Sequence, residues 1–440
     1  MKRFLTILLS LIMLCACVPT PEEDVVVNKT ETSLSESVSD EAVQKILQAV
    51  PTHWDASFSY RDGTASVSVD AAIDVPKTDR FPIVEVAPAA IDPQIAAQLL
   101  YQLIPGGAIR ISDHGGQAYS LEDVDQWIEE VKQNLAHTNE MIFDSDAERD
   151  AYIDAQNAEL ERLFSMRESA VSGTVTLLKD YELLNRYGMM ECRVLDADGR
   201  ECANLLWKPQ AADTNDKRES VLHIDSLLPS CTLLDHGVQS VEEAQQAADK
   251  LLKEIGLSDR YACVSVRDGI NSVVCYYGIQ YQGIRSSPLT ETLIGGENGY
   301  RAQWANEMLA VVFQKREGRT SVSYVCPSKV IGEIGNAKLL PFAEVQTQFA
   351  NSMKASYAWM EEDTVSVEIT VTRISLGYYR VPQKDEPNRY ALIPAWTFEG
   401  TRTAMVQSDD GSGVYPDTND LPNNVIMILS GIDGSLLYAG

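Results

Sequence analysis

Residues 240–283, SVEEAQQAADKLLKEIGLSDRYACVSVRDGINSVVCYYGIQYQG, set the architecture. Ser240-Val-Glu-Glu243 is a capping box: a hydroxyl at the helix start and a carboxylate three residues on satisfy backbone N–H groups that have no helical partner. Val241, Ala244, Ala248 and Leu251 recur at helical spacing, so one face of a helix running to about Lys253 turns inward. Strand-like runs follow over about 261–267, 272–283, 304–314 and 319–326. Pro341 then opens another helix, with Phe342, Val345, Phe349 and Met353 on one face, ahead of runs at about 364–377, 389–399, 424–430 and 435–438. A helix plus four strands, stated twice, predicts two related α+β units over 233–335 and 336–440.

Upstream, residues 45–232 read as one α+β domain. Trp54 to Tyr60 and Thr64 to Val75 flank the turn Arg61-Asp62-Gly63, and Val67, Val69, Ala71 and Ile73 alternate with polar residues as in a half-buried hairpin. Pro93, Ser120-Leu-Glu-Asp123 and Ser145-Asp-Ala-Glu148 open three helices, the last running to about Met166. Strands return from Gly173 to Ile224, with a hairpin over Asp196-Ala-Asp-Gly199. The predicted class is α+β: an N-terminal α+β domain followed by a tandem pair of helix-plus-antiparallel-sheet units.

Three stretches of the last unit carry a resemblance: Ile374-Ser-Leu-Gly-Tyr378, Leu392-Ile-Pro-Ala-Trp-Thr-Phe398 and Gly431-Ile-Asp-Gly-Ser-Leu-Leu437. They look like the C-terminal half of YycH/YycI-like and PepSY-like extracytoplasmic domains, closely over this unit and loosely over the one before. Ser430-Gly431 stands where those families usually have Asn-Ala before the final turn. Taken whole, the chain resembles uncharacterised lipoproteins of Gram-positive, clostridial-type gut anaerobes. The resemblance implies a protein outside the membrane: members of the first group modulate sensor kinases, and PepSY modules in propeptides inhibit proteases. In physical terms Asp433-Gly434 supplies a tight hairpin. Trp396, on a strand between Pro394 and Phe398, reads first as a core anchor and second as a contact for a partner. A sheet left partly open there is able to accept a strand from another chain.

The N-terminus says where such a protein resides. Met1-Lys2-Arg3 is a basic leader, and Phe4 to Leu14 is an apolar run shorter than the ~20 residues of a stable span. Leu14-Cys15-Ala16-Cys17 resembles the bacterial lipobox, which implies cleavage after Ala16 and a diacylglycerol on Cys17. An ordinary cleaved signal and a signal anchor are the alternatives. Residues 1–16 are then a signal peptide and 17–44 a lipidated cysteine with its tether. Residues 18–40, rich in Pro, Ser, Thr and Glu, make a disordered coil with a reach of roughly 25–30 Å. The folded part is placed on the outer face of the cell membrane. A formal charge of −28 repels nucleic acid and anionic lipid headgroups, so neither is an expected partner.

No H-E-x-x-H, G-x-S-x-G, S-x-x-K or P-loop occurs, and the motifs call for no catalytic residue, metal ion or cofactor. Asp113-His114-Gly115 and Asp235-His236-Gly237 read as loops turning into helices. Asp196 and Asp198 alternate as in a calcium loop but lack the twelfth-position Glu, so a hairpin turn is the better reading. Glu161 and Glu168 lie on a wet helix face. Cys192/Cys202 and Cys263/Cys275 flank hairpin turns; each pair reads either as a disulfide or as buried free thiols. Residues 408–420 read as an acidic loop, either solvated or a site for an ion or a partner. Trp396, Asp409, Asp410, Asp417 and Asp420 are the candidate contacts for a protein partner. The expected function is a non-enzymatic lipoprotein that binds or regulates an envelope protein, a sensor or a protease. A solute- or glycan-binding lipoprotein is the alternative, and an envelope hydrolase the third reading.

Overall fold

The computed structural model describes residues 37–440 apart from 112–120, 139–140, 142, 144, 170–173, 178–189, 209–219, 228–232, 234–236, 239, 288–306, 317, 358–362, 384–388, 409–412 and 440. The fold is α+β, its described strands gathered into two sheets. The first half of the chain contributes α1 (Asp40–Gln48), β1 (His53–Tyr60), β2 (Ala65–Asp74), β3 (Pro82–Pro88), α2 (Pro93–Leu103) and β4 (Ala108–Ile111). It continues with α3 (Leu121–Ala136), α4 (Asp146–Ser169), β5 (Thr174–Leu177), β6 (Met190–Leu195), β7 (Glu201–Lys208) and β8 (Val221–Ser226). The second half opens with α5 (Val241–Glu254), β9 (Tyr261–Asp268), β10 (Ser272–Tyr281), β11 (Ile284–Arg285), β12 (Met308–Gln314), β13 (Thr320–Val325) and β14 (Ser328–Asn336). It closes with α6 (Phe342–Ser356), β15 (Thr364–Pro382), β16 (Tyr390–Gln407), β17 (Val414–Ser430) and β18 (Leu436–Ala439).

Local chemistry fixes the helix starts. Ser240 Oγ accepts from Glu243 N at 3.1 Å and Ser145 Oγ from Glu148 N at 3.1 Å, as the capping boxes predict. Asp92 caps α2 by accepting from Gln94 N at 2.9 Å, with Pro93 at the first helical position. Turns form as read: Gly199 takes φ 79° between β6 and β7, and Gly434 takes φ 70° before β18.

The sheets redraw the predicted domain boundary. One sheet runs β1-β2-β15-β16-β17-β18, with β3 joining β16 to β14. The other runs β11-β10-β12-β13-β8-β7-β6-β4-β5, with β9 on the far side of β10. Residues 45–232 are therefore not one domain. Their first three strands belong with the C-terminal unit, and β4 to β8 with the unit before it. The pairing is nested: β2 lies parallel to β15, Val67 facing Ile369 and Val69 facing Val371, while β8 lies antiparallel to β13. Alternation in β2 demands an apolar neighbour on one face but does not say which strand supplies it.

Each sheet is covered by one helix from either half of the chain. Val43 and Leu47 of α1 share a core with Phe342, Val345, Phe349 and Met353 of α6. Leu99 and Leu103 of α2 share the second core with Ala248 and Leu251 of α5. The α3–α4 hairpin has its own small cluster, Val124, Ile128 and Leu163. Among the described residues no helix is long and apolar enough to cross a membrane.

Candidate functional site

The sheets meet where β11 crosses β15. Ser286 bridges Tyr378 in parallel, and Ser287 N donates to Tyr378 O at 2.7 Å. This explains the glycine in Leu376-Gly-Tyr378: a Cβ at Gly377 would lie 2.6 Å from Arg285 O, so only glycine lets the strands approach. Beside the crossing is a cavity of about 320 Å³, lined by Asp74, Lys77, Gln280, Arg285, Ser286 and Arg373 among others. Arg285 Nη2 donates to Asp74 Oδ2 at 2.8 Å, and Arg373 Nη2 donates to the same oxygen at 3.3 Å. Behind Arg373, at 3.5 Å from its Nη1, lies Glu399 Oε2 on β16, a side chain only 1% exposed. Burial pushes the Glu399 carboxyl up to about 7, against the pull of Arg373 and Arg285. Ser286 Oγ is buried with no hydrogen-bond partner among the described residues.

With Glu399 protonated, the cleft sets Lys77, Arg285 and Arg373 against Asp74 and is locally cationic in a chain of net charge −28. Such a cleft suits a small anionic group. Sequence reasoning missed all five charged residues at the crossing, Asp74, Lys77, Arg285, Arg373 and Glu399. The signal was there for one of them: Glu399 is a lone acid in LIPAWTFEG, a run that reads as buried strand.

A second polar cluster also ties the sheets. Arg260 Nη2 donates to Glu307 Oε1 at 2.8 Å, Tyr261 OH donates to the same oxygen, and Ser328 Oγ donates to Glu307 Oε2 at 2.5 Å. Arg380 Nη1 in turn donates to Ser328 Oγ at 3.3 Å. Glu307 is buried, fully partnered and closed to solvent, the pattern of a structural network.

The predicted partner contacts divide. Trp396 is 2% exposed and packs against Phe342 with ring centroids 5.0 Å apart, which places it as a core anchor and not on an exposed contact surface. The acidic loop is corrected in part: 414–420 is strand, not loop, because β17 pairs with β16 from Gln407↔Val414 to Arg402↔Asn419. Pro416 fits there because that stretch of β17 pairs on one side only among the described residues. Asp417 is exposed on this arm, and Asp420 lies on its backbone; Asp409 and Asp410 fall outside the described residues, as do Cys17, His114 and His236. Both faces of 413–417 are exposed. At the tip Val365, Val414 and Tyr415 are between 46% and 51% exposed. Val330, Ile331 and Ile334 on β14 are also exposed, but two bulges and the charges of Lys329 and Glu333 interrupt that edge, devices that discourage strand pairing.

At Asp196 the turn reading is the one found: its Oδ1 accepts from Asp198 N and Arg200 N, and those bonds with the Arg200 guanidinium hold the carboxyl below its usual range. No disulfide joins any two of the five described cysteines beyond the leader. Register separates the pairs, since Cys192 faces Leu205, Cys275 faces Val266 and Cys263 faces Tyr277.

No known protein family matches the sequence, and no curated protein matches it. Solved structures similar in part include an uncharacterised protein from Eubacterium rectale, at 11% identity and TM-score 0.45, covering 93% of this chain and 97% of that one. Another is the Bacillus megaterium YpeB C-terminal domain, at 11% identity and TM-score 0.28, covering 53% of this chain and 84% of that one.

Proposed function

We propose that the chain is a non-enzymatic lipoprotein, lipidated on Cys17 and held on the outer face of the cell membrane, that binds a protein partner through the tip of the β15–β17 arm. In this reading the PepSY-like units lie within 233–335 and 336–440, with β14 and β1 to β3 completing the sheet of the second and β4 to β8 that of the first, and an envelope sensor or protease is the partner class this reading favours. The observation that carries it is the end of the arm, where Val365, Val414 and Tyr415 are about half exposed near the exposed Asp417. Exposed apolar side chains grouped at one end of a rigid element mark interaction sites. With the acidic chain around them they suit a segment combining apolar and basic residues.

The test places a photo-crosslinking amino acid at Tyr415 in cells, with the same group at Ser57 on the polar face of β1 as control. A single membrane-associated protein captured from 415 and not from 57, and lost in Cys17→Ser, supports the reading. Equal capture from both positions, or none, removes it.

The cleft beside Arg285 and Arg373 favours a second reading, a receptor for a small anionic solute. A thermal-shift screen of carboxylates and phosphates supports that reading if one compound stabilises the wild type and not Arg285→Ala.

A further inference from the structure

On the exposed face of the β1–β2 hairpin, where Ala72 separates His53 from the cleft residue Arg373 in the register, His53 Nε2 lies 3.2 Å from Asp55 Oδ2 and 3.1 Å from Asp70 Oδ1. All three donor atoms fall within 4.8 Å of one another. Strand geometry brings them together: His53 and Asp55 are two apart and share a face, and Asp70 sits directly opposite Asp55 in the register. Opposite His53 is Ala72, whose methyl group leaves the ring room to lean diagonally onto Asp70. The side chains remain 44%, 75% and 77% exposed, so further coordination positions open onto water.

Two carboxylates directly opposite each other on paired strands repel, and in a chain of net charge −28 the background field adds to that repulsion. A divalent cation removes it. The imidazole–carboxylate separations are close to the ~3.3 Å edge of a tetrahedron with metal–ligand bonds of about 2.0–2.1 Å. One imidazole nitrogen with two carboxylate oxygens is a borderline donor set, suited to zinc and its first-row neighbours and poorly suited to calcium, which takes six or more oxygens. We infer that His53, Asp55 and Asp70 form a surface site for a divalent transition-metal ion of the zinc type, with water completing the coordination. The site uses none of the residues on which the two readings proposed above rest.

The probes are Zn²⁺, followed by calorimetry, and Co²⁺, followed by its visible spectrum, on the full chain. One saturable Zn²⁺ site is expected, weakened about tenfold or more in each of His53→Ala, Asp55→Asn and Asp70→Asn. Glu368→Gln, an acid exposed on β15, serves as control and is expected to leave the affinity unchanged. All four side chains are exposed, so the variants fold. The Co²⁺ complex is expected to show ligand-field bands without a thiolate charge-transfer band, which separates this site from any binding at cysteine. Binding unchanged in His53→Ala, a thiolate band, or equal loss in Glu368→Gln overturns the assignment.

Discussion

Arg285 Nη2 donates to Asp74 Oδ2 at 2.8 Å, joining the last residue of β11 in one sheet to the last residue of β2 in the other. The bond crosses 211 residues of sequence. Both side chains are about half exposed, so its own contribution is small, in the range of ~0–1 kcal/mol. Arg373 differs, because it also faces the buried Glu399. Urea unfolding at pH 8 is expected to show Arg285→Met costing less than about 1 kcal/mol and Arg373→Met about 3 kcal/mol, since the latter leaves a buried carboxylate without its counter-charge. Equal effects would place Glu399 outside the influence of Arg373.

Glu399 makes stability depend on pH. Its folded-state value is raised from 4.5 to about 7 by burial, so between those limits the folded protein holds a proton that the unfolded chain has released. The contribution, roughly 3 kcal/mol, is complete below about pH 4.5 and is lost as pH rises through 7. Comparing wild type with Glu399→Gln isolates it. The variant is expected to gain stability relative to wild type as pH is raised from 5 to 8, and a difference constant with pH is the contrary result.

Trp396 tests the division between core and contact. It packs against Phe342 and lies fully within the core that α6 covers. Trp396→Ala is expected to cost about 3–5 kcal/mol in denaturant unfolding. Trp396→Phe is expected to fold and to keep any partner captured from Tyr415. Loss of capture in a well-folded Trp396→Phe would reinstate Trp396 as a contact.

Thiol reactivity follows burial. Desolvation pushes Cys263 up to about 11 and Cys275 up to about 12, so neither carries appreciable thiolate at pH 8. Alkylation of the native protein followed by peptide mapping is expected to leave both unmodified until denaturant is added. Rapid native labelling of Cys275 would mean that β10 opens locally.

The arm makes a prediction about folding. In β17 the stretch 414–419 pairs only with β16 among the described residues and exposes Tyr415 and Asp417. Tyr415→Ser with Val414→Ser is expected to change the melting temperature by no more than a degree or two, while removing the apolar tip. A large destabilisation would show that the tip is packed rather than presented.

Much of the fold is written locally. Ser240 with Glu243, and Ser145 with Glu148, determine where α5 and α4 begin, because a cap needs only residues three apart. Arg61-Asp62-Gly63 determines the β1–β2 turn, where all three residues take positive φ. The alternation of Val67, Val69 and Ala71 determines which face of β2 is buried. Tertiary structure decided what no window of sequence holds: that β2 finds β15, that β8 finds β13, and that residues 414–420 extend a hairpin instead of looping. A strand's pattern states that one face must be covered and leaves the choice of cover to the packing of the whole chain. The same holds for chemistry. Asp74, Arg285, Arg373 and Glu399 are unremarkable charges along the sequence and become a site only where two sheets cross. His53, Asp55 and Asp70 converge for the opposite reason, since a single hairpin register, itself set by a local turn, brings them face to face.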